Sequence, residues 1–176
     1  MTLLKETLSS IKPVDSSIRQ KVQSHLDNLT KPQGSLGKLE EIAMRYCLAR
    51  RTTTPAIKNK HIFCFAGDHG VTAENVSAYP PSVTPQMVHN ILGGGAAISV
   101  LAKHENIKLT VVDMGVADPL EGANGLCRRK IANGTGNIAR GPAMSLDQAA
   151  KAVEAGIQLA NEAIENGSTL LGTGSS

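Results

Sequence analysis

Residues 62–97 read IFCFAGDHGVTAENVSAYPPSVTPQMVHNILGGGAA, and this stretch decides the fold. The apolar run Ile62-Phe63-Cys64-Phe65-Ala66 has the length of a buried strand and stops at Gly67-Asp68-His69-Gly70. A polar loop with two prolines follows, and then a helical pattern over residues 85–103. A strand ending in Gly-Asp-His-Gly puts an acid and an imidazole at the carboxyl edge of a sheet, where open α/β folds bind ligands.

Outward from that stretch, residues 107–112 (IKLTVV) and 168–171 (STLL) read as two further strands. A marked helix precedes the last one. Ser145-Leu146-Asp147-Gln148 forms a capping box, Ala149, Val153, Ile157, Ala160 and Ile164 make the predicted inner stripe, and Asn166-Gly167 supplies the stop. Strands separated by helices in this rhythm predict a parallel sheet with right-handed crossovers, in a three-layer α/β/α fold. Each strand runs into a glycine-bearing polar segment: Gly67-Asp68-His69-Gly70, Asp113-Met114-Gly115 and Gly172-Thr173-Gly174. In a parallel sheet those ends share an edge, so the three loops are expected to line one crevice.

The first 54 residues have a different texture and predict a small helical subdomain, with the α/β domain over residues 55–176. Leu4, Leu8 and Ile11 share a face before Pro13. Asp15 or Ser16 can cap a second helix with the stripe Ile18, Val22, Leu26 and Leu29. After the turn-rich joint Lys31-Pro32-Gln33-Gly34-Ser35, a third helix is expected to turn Leu39, Ile42, Ala43 and Tyr46 inward.

Composition bounds the function. With no Trp, two Phe and two Tyr, the core has to be aliphatic. A net charge of +3 is mild, and its one cluster, Arg128-Arg129-Lys130, lacks interleaved aromatics. That reads as a solvated loop or a phosphate neighbour and not as a nucleic-acid face. Cys47, Cys64 and Cys127 are odd in number and widely spaced, which argues against a disulfide framework or a structural zinc site and fits a reducing cytoplasm. No apolar run approaches the ~18 residues of a membrane span.

Three segments carry candidate chemistry. Asp68 and His69 read as an acid–imidazole pair, as turn residues, or as groups that orient substrate or neighbouring loops without bond chemistry; two ligands are too few for a metal cage. Ala78-Tyr79-Pro80-Pro81-Ser82 offers flat, stiff walls suited to one planar ring. Thr84 can cap the next helix with Pro85 at its first position, setting Gln86 near the amino end, and Gln86, His89 and Asn90 share a face. Gly93-Gly94-Gly95 inside a helix costs ~1 kcal/mol per glycine relative to alanine. A kink, close packing on the sheet or a ligand near bare backbone would compensate, with packing the expected one. Gly134-Thr135-Gly136-Asn137-Ile138-Ala139 matches a dinucleotide fingerprint in letters only, since no buried strand precedes it and Gly141-Pro142 blocks the helix. Its amides and Arg140 remain candidates for a place near a phosphate.

Longer patterns carry a resemblance. Lys31-Pro32-Gln33-Gly34-Ser35-Leu36-Gly37-Lys38-Leu39-Glu40, Ala66-Gly67-Asp68-His69-Gly70-Val71, Val76-Ser77-Ala78-Tyr79-Pro80, Val112-Asp113-Met114-Gly115-Val116 and Gly134-Thr135-Gly136-Asn137-Ile138 resemble the N-terminal half of the nicotinate-nucleotide:dimethylbenzimidazole phosphoribosyltransferases of cobalamin biosynthesis. The resemblance implies phosphoribosyl transfer from nicotinate mononucleotide to dimethylbenzimidazole, a homodimer, and no metal or cofactor. It implies a base slot lined by Ser77, Ala78, Tyr79, Pro80, Gln86 and Met87, with Asp68 and His69 orienting substrate. Arg140, Gly172, Thr173, Gly174 and Ser175 would be parts of a phosphate and ribose site, Ser175 standing where the family has an acidic residue. The family's general-base glutamate lies in a C-terminal half beyond these residues, so none here is assigned as catalytic base. Low turnover alone is therefore expected, and a non-catalytic base-binding or assembly module is the alternative.

Overall fold

The structure, a computed structural model, describes residues 2–175 and divides them into two compact units: Lys5–Ile57, and Lys58 onward together with Thr2–Leu4. In the first unit, helix α2 (Arg19–Asp27) packs on α3 (Lys38–Arg50) through Val22, Leu26, Met44, Cys47 and Leu48. The Lys31 ammonium meets the Glu40 carboxylate at 2.8 Å, both side chains nearly buried, and Glu40 also accepts the Leu36 amide at 3.1 Å. Lys31 and that amide hold the Glu40 carboxyl below the usual carboxylate range. This ion pair turns the buried stripe of α3 to Glu40, Met44, Cys47 and Leu48, so Leu39 and Ile42, expected inside, lie outside. In α1 (Leu3–Ser10) no residue is buried, and Leu8 faces outward with Ile11 just beyond it.

The second unit is built on a parallel four-stranded sheet in the order β3-β2-β1-β4. Its strands are β1 (Lys60–Gly67), β2 (Lys108–Gly115), β3 (Cys127–Arg128) and β4 (Leu170–Ser175). The period-2 alternation of strand side chains gives each face its own core. Cys64, Ala66 and Val111 meet Val88 and Ile91 of α4 (Val83–Leu92) and Ala96, just ahead of α5 (Ala97–His104). On the opposite face Phe63 and Val112 meet Leu159 and Ala163 of α6 (Leu146–Glu165). The three-layer α/β architecture is thus formed as the pattern of strands and helices predicts.

Local expectations fail where the apolar pattern has no unique phase. α6 is rich in alanine on several sides; packed against Phe63, it buries Ala155, Leu159 and Ala163 and leaves Val153 and Ile164 exposed. Its capping box forms as read, with Ser145 Oγ accepting from the Gln148 amide and Gln148 Oε1 from the Ser145 amide. The helix predicted over residues 85–103 is two helices. Gly94, at φ +83°, takes a left-handed turn that side chains disfavour, and the glycines close α4 through amides bonded to His89, Ile91 and Asn90. They end a helix and do not pack on the sheet. α4 itself starts at Val83 without a side-chain cap, because the carbonyls of Pro80 and Pro81 accept its first amides at 3.0 and 3.1 Å.

Two further differences touch the site. β4 runs on through Gly172, Thr173 and Gly174, which pair with Ile62, Phe63 and Cys64, so the predicted third loop is strand. Ser176 lies outside the described residues. The basic cluster is a structural clasp: Arg128 donates to the carbonyls of Pro119 and Leu120, Arg129 reaches Glu162, and Lys130 stands 3.5 Å from Asp113.

Candidate substrate site

Strands β1 and β2 end side by side, Gly67 opposite Gly115 after an irregularity in their register. From there Asp68 laces three segments together. Its amide donates to Gly115 O at 3.0 Å, its carboxylate Oδ2 accepts the Ala117 amide at 2.7 Å, and its carbonyl accepts the Thr135 amide at 3.0 Å. Behind it Asp113, fully buried, accepts from the Gly115 and Val116 amides at 3.1 and 2.9 Å. These bonds tie the strand-end loops to one another.

The Gly134-Thr135-Gly136 turn lies directly on the first loop. A β-carbon on Gly70 would sit 2.6 Å from the Thr135 carbonyl oxygen, so only glycine permits the approach. The Thr135 and Gly136 amides are taken by the carbonyls of Asp68 and Ala143. Arg140 Nε and Asn137 Nδ2 both donate to Glu74 Oε1, at 2.8 and 2.7 Å. The Thr135 and Gly136 amides and the Arg140 Nε are therefore engaged within the protein, while the Arg140 side chain stays largely exposed.

On the α4 side of the edge, Asp68, His69, Ser77, Tyr79, Pro80 and Met87 border one cavity of about 210 Å³. Ser77 Oγ donates to Tyr79 O and accepts the Tyr79 amide, which stiffens the segment that presents Tyr79, a residue 71% exposed. Gln86 borders a neighbouring cavity of about 520 Å³ with Asp68, Pro81, Pro85, His89 and Asp118. Ala78 borders neither. Nor do Arg140 and Gly172 to Ser175, the last four lying in register with Ile62 to Phe65. The structure thus brings Asp68, His69, Ser77, Tyr79, Pro80 and Met87 together, sets Gln86 next door, and leaves the phosphate candidates apart.

A third cavity, of about 170 Å³, opens on the α6 side and includes Met114, Ile131, Met144, Gln148 and Ala152. Sequence reading took Gln148 as a capping residue only. Its i,i+4 spacing to Ala152 at the amino end of a helix ahead of an edge strand was the available signal.

Comparisons with known proteins bear on this edge. A family model described as phosphoribosyltransferase matches residues 11–176. The chain belongs to this phosphoribosyltransferase family. The nicotinate-nucleotide–dimethylbenzimidazole phosphoribosyltransferase of Chlorobaculum parvum is 57% identical over 169 residues, which cover 96% of this chain and 48% of that one. Its counterpart in Geobacter sulfurreducens is 54% identical over 174 residues, with 99% and 49% covered. A crystal structure of the Thermus thermophilus phosphoribosyltransferase of that name superposes with a TM-score of 0.85 at 42% identity, covering 92% of this chain and 49% of that one. The chain spans about half the length of the curated relatives it matches. Among the described residues no helix is long and apolar enough to cross a membrane.

Proposed function

We propose that this chain carries the acceptor-base part of a phosphoribosyltransferase site that joins dimethylbenzimidazole to the ribose phosphate of nicotinate mononucleotide, releasing nicotinate, in cobalamin nucleotide-loop assembly. The observation that carries the reading is the gathering of Tyr79, Pro80, Ser77 and Met87 with Asp68 and His69 around one cavity at the sheet's carboxyl edge, in a chain of this family. A flat bicyclic base would lie between the Tyr79–Pro80 wall and the Met87 thioether, and the Gln86 amide next door would meet a ring nitrogen. Asp68 acts as a loop-positioning residue, since its carboxylate oxygen is already on an amide.

Transfer also requires a base for the ring N–H and a cradle for the phosphate. The two carboxylates that border the three cavities, Asp68 and Asp118, each accept a backbone amide, from Ala117 and Leu120. The 176 residues alone are therefore expected to bind the base and to turn over negligibly. Incubating the purified chain with both substrates and measuring α-ribazole phosphate tests this; rates near those of a full-length relative would overturn it.

The alternative, a non-catalytic base-binding or assembly module, shares the slot and differs in needing no second half. We also infer a cytoplasmic homodimer. Leu39 and Ile42 stay exposed on α3, and β4 is an edge strand, a feature native proteins usually cover or pair. Sedimentation that reports a monomer at all concentrations would contradict the dimer.

A further inference from the structure

A recess of about 360 Å³ lies at the opposite edge of the sheet, where β1 and β2 begin and α6 ends. His61 and Lys108 stand side by side in it as partners in the β1–β2 register, with Lys60, Asn106 and Ser168 around them. Open α/β folds use the carboxyl edge for ligands, so this edge has to be judged on its own groups. Asp68 borders each of the three cavities at the carboxyl edge, whereas no carboxylate borders the recess. Its donors are also unspent. The Lys108 ammonium, the Asn106 side-chain amide and the Ser168 hydroxyl have no hydrogen bond or ion pair among the described residues, and Lys60 has only Glu105 at 3.9 Å. His61, 5% exposed, uses Nε2 on Thr110 Oγ1 and leaves Nδ1 without a partner among the described residues.

Lysines at such an edge can serve the carbonyl ends of helices, whose dipole favours cations. Here backbone amides take those carbonyls. In α6 the carbonyls of Glu162, Ala163 and Ile164 accept from Asn166, Ser168 and Gly167, and in α5 those of Leu101, Ala102 and Lys103 accept from Glu105, Ile107 and Asn106. Burial, and then the Lys108 charge, push the His61 pKa down, as positive charge does where no protein anion offsets it.

We propose that this recess is an anion site that takes a phosphate group, free or esterified. Lys108 and Lys60 supply the charge, and the Asn106 amide, the Ser168 hydroxyl and the His61 Nδ1–H supply the direction. With Nδ1 donating, neutral His61 accepts a hydrogen bond from the Thr110 hydroxyl at Nε2, so the anion selects one tautomer. The recess is larger than a bare phosphate ion and reaches the ~300 Å³ at which ligand pockets begin, which leaves room for a small ester group. It stands independently of the base slot at the other edge.

The test titrates the whole chain with inorganic phosphate, ribose 5-phosphate and ribose, read by calorimetry and by proton–nitrogen correlation spectra. Phosphate is expected to shift the Asn106 side-chain amide and to move His61 toward its Nδ1-protonated tautomer. Lys108→Gln is expected to weaken phosphate about tenfold or more, and Lys108→Arg to keep most of the binding. Ribose 5-phosphate that binds more tightly than phosphate upholds a site for esters, and an affinity no greater upholds one for the free ion. Absence of phosphate binding, an affinity indifferent to Lys108→Gln, or ribose that binds as well as its phosphate overturns the proposal. So do shifts confined to carboxyl-edge residues, which would mark the anion as held there. Should Lys108→Gln not fold, the wild-type spectra decide.

Discussion

Asp68 and Ala117 are joined across the ends of neighbouring strands, the aspartate Oδ2 accepting the alanine amide at 2.7 Å. Through that bond the loop after β2 is held against the loop after β1, and the walls of all three cavities share one pillar. Asp68→Asn keeps an acceptor at the same place and Asp68→Ala removes it. The alanine variant is expected to lose about 1–2 kcal/mol of stability and the asparagine variant under about 1 kcal/mol. Urea denaturation of the two variants beside the wild type checks the order; equal losses would show that the bond is not what matters.

Gly70 tolerates no side chain. Gly70→Ala drives a methyl into the Thr135–Asn137 backbone and is expected to cost about 2–3 kcal/mol, with the slot beside Tyr79 loosened. Thermal melts and dimethylbenzimidazole titration measure the two effects separately. A variant as stable as the wild type would mean that the 134–136 turn does not rest on the first loop.

His61, buried at the start of β1, meets Phe63 with ring centroids 4.2 Å apart and planes tilted by 31°, and its Nε2 lies 2.9 Å from Thr110 Oγ1. Burial, and then the charge of Lys108, push its pKa below the ordinary histidine value of about 6.5. The unfolded chain therefore takes up a proton first as pH falls, and folded stability decreases below about pH 6.5. His61→Phe is expected to flatten the melting temperature between about pH 7 and 5.5; an unchanged slope would place the titrating group elsewhere.

Glu40 gives the opposite kind of signature at lower pH. Its carboxyl is depressed by Lys31 and the Leu36 amide, so its contribution is present above the unfolded value near 4.5 and fades as pH falls toward the lower folded value. Glu40→Gln is expected to lower the melting temperature at about pH 7 and to converge with wild type toward about pH 3. Parallel curves for the two proteins over that whole range would contradict the buried pair.

The fold was legible because strand runs and glycine-bearing ends are local signals: Ile62 to Ala66 and the box Ser145 to Gln148 need no partner to be read. The helix stripes were not, because α3 and α6 offer apolar residues on several faces, and only Lys31 on Glu40, or the bulk of Phe63 against alanines, selects one. The two-residue β3 is too short to leave a period in the sequence. At the site, Tyr79, Pro80 and Met87 were visible as a stiff segment followed by a helix. The surroundings of Arg140 and the 134–136 amides were not legible, because their partners, Glu74, Asp68 and Ala143, are set by tertiary contact.

The slot beside Tyr79 is the central claim, and titration of the purified chain with dimethylbenzimidazole tests it most directly. Saturable binding of one base per chain is expected, weakened about tenfold or more by Tyr79→Ala and by Gln86→Ala and left unchanged by His61→Phe. Heats that never saturate, or an affinity indifferent to both slot substitutions, would contradict it.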